Sequence, residues 1–201
     1  MNAPKAAVPI FACSPRRGGN TDTAAALVVE ALNAKGIASD IVHLREHKLM
    51  PCQGCNYCGT PGHACILAKR DDCERLLRLL YTAPAVFWLA PIFFYHLPAQ
   101  SKALIDRAQA HWYLKRNQDP EILTLPPRQA HVLLIAARSK GEKLFQGSLS
   151  TLRYFFEPFN IDLAEPLLLT GLDGPRDLAQ APAQAGGVAA WATAALARNR
   201  D

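Results

Sequence analysis

Short apolar segments alternate with helix-like segments along almost the whole chain, and this alternation is the strongest constraint on its fold. Five apolar segments are predicted as buried strands, at residues 7–12, 38–44, 85–90, 130–137 and 163–169. The segments predicted as helices are residues 21–34, 71–81, 98–113, 142–156 and 188–199. Strands that alternate with helices form βαβ units, and such units build a parallel sheet covered by helices on both faces.

The predicted fold is a doubly wound α/β sheet of the flavodoxin-like kind. Right-handed crossovers leave few topologies for five parallel strands, and the natural choice has the strand order 2-1-3-4-5. The length of 201 residues suits one domain, residues 1–201, with a cysteine-rich insertion at residues 51–70. Residues 174–187 are rich in Ala, Pro and Gly, and we expect a loose turn there.

Charge and hydropathy narrow the partners that this chain is expected to have. The net charge is +5, but the basic residues are scattered and form no Lys/Arg run, so we expect no nucleic-acid partner. No apolar run reaches the roughly 20 residues that span a bilayer, which predicts no membrane partner. The first residues lead into a strand without the regions of a signal peptide, and we therefore expect a cytoplasmic location.

The turn after the first predicted strand, residues 14–21 (Ser-Pro-Arg-Arg-Gly-Gly-Asn-Thr), has the chemistry of an anion site. Gly, Ser, Thr and Asn before a helix present backbone N–H groups and hydroxyls to a phosphate. Guanidinium groups match the geometry of a phosphate. The candidate residues are Ser14, Arg16, Arg17, Asn20 and Thr21. The turn is neither a Walker loop nor a dinucleotide fingerprint, and a plain structural turn is the alternative.

The loop after the third predicted strand is apolar and aromatic. Its candidate residues are Pro91, Ile92, Phe93, Phe94 and Tyr95. A flat aromatic cofactor needs an apolar loop with free backbone amides, whereas the alternative is a loop that packs against a neighbouring subunit. In a sheet of order 2-1-3-4-5, ligands bind beside the carboxyl ends of strands one and three, where these two loops meet. Together the two loops favour a flavin.

The residues of both loops resemble those of a known family, the NADPH-dependent FMN reductases and iron–sulfur flavoproteins. Residues 14–21 are similar to the phosphate loop of that family, and residues 90–107 to its second flavin loop and the following helix. Residues 51–58 are similar to its cysteine motif, and Asp71 and Asp72 to the acidic pair after that motif. The resemblance extends over residues 7–170 in the same order.

The resemblance implies an FMN-binding homo-oligomer, either a homodimer or a homotetramer. The residues implied to hold the phosphate are Ser14, Arg16, Asn20 and Thr21. The backbone of residues 91–95 would lie along the isoalloxazine ring. A third loop after the fourth strand would approach the ring from the other side, with Ala137, Arg138 and Ser139.

Three positions depart from the family pattern. Cys13 stands where glycine is usual, and it requires ordinary backbone angles. Tyr95 stands where small residues are common. The third loop is usually glycine-rich, but residues 138–141 here are Arg-Ser-Lys-Gly, which is bulky and basic. These departures affect the surroundings of the ring more than the phosphate site.

Four cysteines lie close together in the insertion, at Cys52, Cys55, Cys58 and Cys65. Such clustering in a chain without an export signal indicates metal or redox chemistry rather than a disulfide framework. Three thiolates with this spacing can converge on one metal core, and a fourth can close the site. The resemblance implies a [4Fe–4S] cluster on these ligands; reduced or disulfide-forming thiols and a zinc ion are the alternatives. We expect Cys13 and Cys73 to be packed rather than ligating.

Two main hypotheses for the function follow. The first is an FMN-dependent NAD(P)H oxidoreductase that passes electrons to a quinone, a flavin or another small acceptor. The alternative is an iron–sulfur flavoprotein that carries electrons between ferredoxin and an acceptor. A regulatory flavodoxin-like module with an empty site is a third, weaker reading. Because the cofactor supplies the difficult chemistry, we predict no catalytic acid or base.

Overall fold

The computed structural model describes residues 6–195, and a parallel sheet forms its centre. Its strands are β1 (Val8–Ala12), β2 (Ser39–His43), β3 (Val86–Pro91), β4 (Arg128–Ile135), β5 (Ile161–Leu163) and β6 (Leu167–Leu169). They lie in the order β2-β1-β3-β4-β5, with β6 also paired to β4, and each of these pairings is parallel. This order confirms the predicted doubly wound flavodoxin-like sheet.

Helices cover both faces of the sheet. They are α1 (Asn20–Asn33), α2 (Cys73–Thr82), α3 (Ala99–Arg107), α4 (Gln109–Arg116), α5 (Pro120–Leu123), α6 (Gln146–Phe156), α7 (Asp177–Gln180) and α8 (Pro182–Ala195). Because successive strand residues point to opposite faces, Phe87 packs in the core with α1 and α8, and Trp88 packs in the core with α2, α3 and α6. Among residues 6–195, no helix has the length and apolar character needed to cross a bilayer.

The region predicted as one helix at residues 98–113 forms two helices. α3 ends at Arg107, α4 begins at Gln109, and the N–H of Ala108 between them donates to the carbonyl oxygen of Ile105 at 3.0 Å. That bond spans three residues instead of four, so it tightens the last turn of α3. The break leaves Arg107 as the last residue of α3, and its side chain contacts the cysteine-rich segment.

The segment predicted as a single fifth strand at residues 163–169 also forms two elements. β5 pairs with the start of β4, through Leu163 and Ala130, and β6 pairs with its end, through Leu167 and Leu133. The paired positions are three residues apart in β4 but four residues apart in the partner segment, and the extra residue forms a bulge. Pro166 lies in the bulge, where its missing N–H breaks no ladder hydrogen bond.

Two predictions near the carboxyl end of the chain were wrong in their bounds. The helix predicted from residue 142 begins at Gln146, because Lys143 has a left-handed φ of 56° that a helix does not allow. The loose turn predicted at residues 174–187 contains α7 and the start of α8, with Pro182 in the first-turn position that suits proline. The predicted closing helix at residues 188–199 coincides with α8 up to Ala195, and residues 196–199 lie outside the described residues.

The carboxyl ends of β1, β3 and β4 lie at one edge of the sheet. Ala12 is in register with Leu89, and Pro91 is in register with Ile135. Three loops therefore meet at this edge: residues 13–19, 92–98 and 136–145. Between β2 and α2 the chain forms only two short 3-10 turns, Leu44–Glu46 before the cysteine-rich segment and Tyr57–Gly59 within it.

Candidate functional site

The first loop folds back on the amino end of α1 through its own groups. Ser14 Oγ accepts the N–H of Arg16 at 3.1 Å, and the N–H of Gly18 donates to Asp22 Oδ2 at 2.8 Å. Gly18 has φ +64°, in the left-handed region that glycine adopts without a Cβ clash. The first N–H groups of α1 have no acceptor within the helix, so their partial positive charge faces the carboxyl end of β1.

Arg45, which sequence reasoning missed, holds this loop in place. Its Nη1 group donates to Asp22 Oδ1 at 2.8 Å and to the carbonyl oxygens of Ser14 and Arg16 at 3.4 and 3.5 Å. The side chain is only 9% exposed. A single arginine after β2 gives no sequence signal for this role, because its partners lie 23 to 31 residues away along the chain.

Two predicted phosphate residues have side chains that bind elsewhere in the protein. Arg17 Nη1 pairs with Glu46 Oε1 at 2.9 Å on the exposed surface. Asn20 Nδ2 donates to the carbonyl oxygen of Gly174 at 2.8 Å, and Asn20 Oδ1 accepts the N–H of Leu178 at 3.0 Å. Asn20 therefore ties α1 to the segment after β6, and it offers an anion its backbone N–H rather than its side chain.

The second loop is a tight hairpin with a strained tip. The N–H groups of Phe93 and His96 donate to each other's carbonyl oxygens, at 2.8 and 2.9 Å. The two residues between them, Phe94 and Tyr95, have φ of 48° and 62°, in the left-handed region that glycine and asparagine favour in such turns. The Phe94 side chain is fully exposed. A residue of this kind in the left-handed region costs about 1–2 kcal/mol, so the turn is held by its surroundings.

Those surroundings are the third loop and α6. The guanidinium carbon of Arg138 lies 5.8 Å from the centre of the Tyr95 ring. A Cβ atom at Gly141 would lie 2.9 Å from Tyr95 Oη, so a side chain at this position would have to displace the tip of Tyr95. His96 Nε2 lies 3.2 Å from Thr151 Oγ1 on α6. The side chain of Tyr95, which departs from the family pattern, therefore occupies the space beside Gly141.

Two adjoining cavities lie between the three loops. The first cavity, of about 100 Å³, is bordered by the first and second loops. The predicted residues that line it are Ser14, Arg16, Asn20, Thr21, Pro91, Ile92, Phe93 and Ala137. The second, of about 300 Å³, is lined by the predicted residues Ile92, Phe94, Tyr95, Ala137 and Arg138. Ile92 and Ala137 line both cavities, so the two cavities adjoin.

Among the predicted flavin residues, Arg17 and Ser139 line neither cavity. Sequence reasoning missed Leu172 and Asp173, which line the first cavity from the segment after β6. It also missed Ala136 and Leu144, which line the second. Leu172 and Asp173 could have been found from their position after the last strand, because every loop at the carboxyl edge of such a sheet is a candidate.

The four predicted metal ligands, Cys52, Cys55, Cys58 and Cys65, line one separate cavity of about 480 Å³ beside α3 and α4. Their sulfurs are free thiols, as are those of Cys13 and Cys73. Within residues 6–195, no group of three or more His, Cys, Asp or Glu side chains is arranged to hold a metal ion. The donor set is nevertheless the one that an iron–sulfur cluster takes, namely four cysteines facing one cavity.

The four cysteines of the cavity are less buried than the other two. Burial raises the pKa of the Cys58 thiol, and the neighbouring cysteines of the cavity raise it further through repulsion between thiolates. Cys73 is fully buried at the start of α2, and burial raises the pKa of its thiol to about 12. Cys13 is also fully buried, its thiol pKa is raised for the same reason, and its φ is not in the left-handed region. Cys13 and Cys73 are thus packed neutral thiols.

A buried ion pair joins both ends of the cysteine-rich segment to α3. Arg107 Nη1 donates to Asp71 Oδ2 at 2.6 Å and to the carbonyl oxygen of Met50 at 3.1 Å, while Arg107 Nε donates to Cys65 Sγ at 3.1 Å. Asp71 Oδ2 accepts the N–H of Met50 at 2.8 Å, and Asp71 Oδ1 accepts the N–H of Cys73 at 3.2 Å. Both side chains of the pair are almost fully inaccessible to solvent.

Comparisons of the sequence with known proteins agree with this geometry. A sequence model of the NADPH-dependent FMN reductase family matches residues 7–121, more than half of the chain. An iron–sulfur flavoprotein of Methanocaldococcus jannaschii is 37% identical over 99 residues, which are 48% of each chain. One from Archaeoglobus fulgidus is 33% identical over 94 residues, 47% of this chain and 41% of its own. Each match thus spans about half of the relative's length or less.

Solved structures show the same fold at low sequence identity. An NAD(P)H:quinone oxidoreductase from Methanothermobacter marburgensis superposes with a TM-score of 0.71 at 16% identity, over 92% of this chain and 94% of its own. An azoreductase from Bacillus anthracis superposes with a TM-score of 0.64 at 16% identity, over 93% of this chain and 98% of its own. The flavodoxin-like sheet and the match over residues 7–121 lead to one assignment. The chain belongs to the NADPH-dependent FMN reductase family.

Proposed function

We propose that this protein is an FMN-dependent oxidoreductase that takes a hydride from NAD(P)H and passes electrons to a quinone, a flavin or another small acceptor. The observation that carries the proposal is the pair of adjoining cavities at the carboxyl edge of the sheet, one beside Arg16 and the amino end of α1 and the other lined largely by apolar and aromatic side chains. This is the distribution of polarity that a flavin mononucleotide requires, because its phosphate is anionic and its ring system is flat and apolar.

The two cavities supply the hydrogen-bond donors and the apolar surface that FMN requires, and among the described residues Asp173 is the one acidic side chain that lines them. In the proposal, Ser14, Arg16 and Thr21, with the N–H groups of α1, bind the phosphate. The second and third loops orient the ring and exclude water from its faces. Bound FMN supplies the hydride chemistry, and the protein contributes binding, orientation and electrostatics. No side chain of the cleft is therefore assigned as an acid or a base.

A basic groove supports a nicotinamide dinucleotide as the electron donor. A cavity of about 840 Å³ between the third loop and α6 is lined by Lys140, Lys143 and Arg153 and by no acidic side chain. It adjoins the 300 Å³ cavity, since Leu144 lines both. The phosphates of NADH or NADPH would find three cations there, while the nicotinamide reaches the ring.

The test is the visible spectrum of the purified protein together with steady-state oxidation of NADPH and NADH. The proposal expects a two-banded yellow flavin spectrum and turnover when menadione or ferricyanide is the acceptor. Purified protein that is colourless and takes up no added FMN would contradict it and favour a module with an empty site. If the protein binds FMN but oxidises neither NADPH nor NADH, FMN is the cofactor and NAD(P)H is not the electron donor.

A second candidate function is an electron carrier that contains both FMN and a [4Fe–4S] cluster. The observation that favours it is the single cavity that all four of Cys52, Cys55, Cys58 and Cys65 line. Iron and sulfide in matching amounts after anaerobic purification, with fast reduction by ferredoxin and none by NAD(P)H, would support this function. Zinc in place of iron, or four thiols that react with an alkylating reagent, would reject it.

We also propose that the protein is a cytoplasmic homodimer or homotetramer. Trp112 and Tyr154 are exposed on opposite sides of a groove of about 400 Å³ between α4 and α6, and exposed aromatic side chains are enriched at interfaces. Multi-angle light scattering of the purified protein measures the assembly, and a monomer at micromolar concentration would contradict it. Cell fractionation tests the location.

A further inference from the structure

The guanidinium group of Arg107 has a place in this molecule that the flavin cleft does not explain. Its side chain is 1% exposed, although it ends at the cavity of the four cysteines. Its Nε group donates to Cys65 Sγ at 3.1 Å. Among the described residues, Cys65 is the one cysteine whose sulfur accepts a hydrogen bond from a charged side chain.

We propose that Arg107 is a positioning residue for an iron–sulfur group: it holds Cys65 Sγ at the cavity wall and raises the reduction potential of the cluster through its N–H···S hydrogen bond and its charge. The proposal rests on the second candidate function, a cluster bound by the four cysteines. It assigns to Arg107 a role distinct from flavin binding.

The geometry fixes the direction of the Nε–H bond. Arg107 Nη1 is held by Asp71 Oδ2 at 2.6 Å and by the carbonyl oxygen of Met50 at 3.1 Å. Because the guanidinium is planar and rigid, these two bonds determine where Nε–H points, and it points at Cys65. The sulfur is therefore held by a group that is itself held from two sides.

The same pair fixes the two ends of the cysteine-rich segment. Met50 precedes Cys52, and both its N–H and its carbonyl oxygen are bound, the first by Asp71 and the second by Arg107. Asp71 follows Cys65, and its carboxylate accepts the N–H of Cys73, the first residue of α2. The ends of the segment are set by these bonds without any metal, so all four ligands belong to a segment that is anchored at both ends.

The effect on the cluster follows from charge. Reduction adds an electron to a cluster whose thiolate ligands are already negative. A hydrogen-bond donor and a cation at one ligand sulfur stabilise the reduced form more than the oxidised form. The Asp71 carboxylate offsets part of the positive charge of Arg107, but it accepts from Nη1, so Nε–H remains free to donate to the sulfur.

The test compares Arg107→Lys and Arg107→Gln with the wild type after anaerobic purification. Arg75→Gln is the matched control, because Arg75 also pairs with an aspartate of the acidic pair, at 3.0 Å, but is exposed and does not line the cysteine cavity. The readouts are iron and sulfide per chain, the midpoint potential of the cluster from an EPR-monitored titration, and the FMN content with the far-UV circular dichroism spectrum.

The proposal expects a lower midpoint potential and partial loss of iron in Arg107→Lys, whose ammonium can pair with Asp71 but cannot reproduce the bond to Cys65. Arg107→Gln is expected to lose more iron, and Arg75→Gln is expected to match the wild type in both readouts. If Arg107→Gln does not fold, the midpoint potential and the iron content of Arg107→Lys alone test the proposal.

A midpoint potential for Arg107→Lys equal to that of the wild type, with its FMN and fold intact, would overturn the proposal and leave Arg107 a purely structural role. Absence of iron and sulfide from the wild type is the separate outcome that rejects the cluster itself. It also removes the basis of this inference.

Discussion

Neighbouring residues of the same type have different environments in this protein, and these pairs make the sharpest tests at the residue scale. Arg16 lines the anion cavity, whereas Arg17 pairs with Glu46 on the exposed surface. Asp71 is buried against Arg107, whereas Asp72 pairs with the exposed Arg75. The sequence shows two adjacent pairs and gives no reason to treat their members differently.

The arginine pair tests the phosphate site. Arg16→Gln is expected to weaken FMN binding roughly tenfold, because a charge-assisted hydrogen bond contributes about 1.5 kcal/mol or more. Arg17→Gln is expected to leave FMN binding within about twofold, since an exposed ion pair contributes little. Fluorescence titration of the FMN-free protein with FMN measures both. Equal losses of FMN affinity in the two variants would mean that the phosphate does not bind in the cavity that Arg16 lines.

The aspartate pair tests the buried ion pair. Burial opposes ionisation of Asp71, but the hydrogen bonds from Arg107, Met50 and Cys73 prevail and lower its pKa. Asp71→Asn leaves Arg107 buried without a counter-charge, so the free energy of unfolding is expected to fall by about 3 kcal/mol at pH 7. Asp72→Asn is expected to cost about 1 kcal/mol or less.

The same pair has an expected pH dependence. A carboxyl whose folded pKa is lowered stabilises the fold above its unfolded pKa of about 4 and loses that contribution as the pH falls through the folded value. The difference in unfolding free energy between wild type and Asp71→Asn should therefore be constant between pH 6 and 8 and shrink below about pH 4. Urea unfolding across this range measures it. A difference that grows on acidification would contradict the lowered pKa.

At the scale of elements, the carboxyl edge of the sheet combines a strained hairpin with a basic groove. Phe94 has a left-handed φ of 48° and a fully exposed side chain, so its ring contributes no packing that could offset the strain. The side chain of Arg153 on α6 is exposed and makes no hydrogen bond or ion pair within the described part of the chain. The strained turn and this unpaired cation both lie beside the proposed site.

The hairpin gives a prediction in which stability and function move in opposite directions. Phe94→Asn is expected to raise the free energy of unfolding by about 0.5–1 kcal/mol, because asparagine tolerates the left-handed region. It is also expected to slow turnover with an aromatic acceptor, since an exposed ring beside the cleft is lost. Tyr154→Asn, which removes an exposed ring from the regular helix α6, should not stabilise the fold. Thermal unfolding and steady-state rates measure both effects.

The basic groove gives a prediction about the electron donor. Arg153→Gln is expected to raise the KM for NADPH about tenfold with little change in kcat, because it removes a cation that contacts phosphate in every bound state. Lys35→Gln removes the same charge at the end of α1, away from the groove, and should leave the KM unchanged. Identical shifts in both variants would mean that net charge alone attracts the nucleotide.

At the scale of the whole molecule, we propose that one sheet with two covered faces makes a single folding unit. Trp88 lies in the core on one face, and Trp191 packs against the core on the other. Intrinsic fluorescence therefore reports both faces, and circular dichroism reports the helices. Urea unfolding followed by the two signals should give coincident curves. Curves that separate would show that the two faces unfold independently.

Much of this architecture was predictable because it depends on local patterns. β3 is buried from Val86 to Ala90, so its apolar run was clear. The bulge at Pro166, the short helix α7 and the start of α8 were not predictable, because burial against β4 and α1 overrides weak local preferences there.

The order of the strands, the polar loop after β1 and the clustering of four cysteines were predictable from the amino-acid sequence, because each of these depends on residues close together in the chain. Which of those residues contact each other was visible only in the folded chain. Asn20 is bound to Gly174, Arg45 to Asp22 and Arg107 to Cys65, across 154, 23 and 42 residues. Contacts of that range arise from packing on the sheet, and no local pattern encodes them.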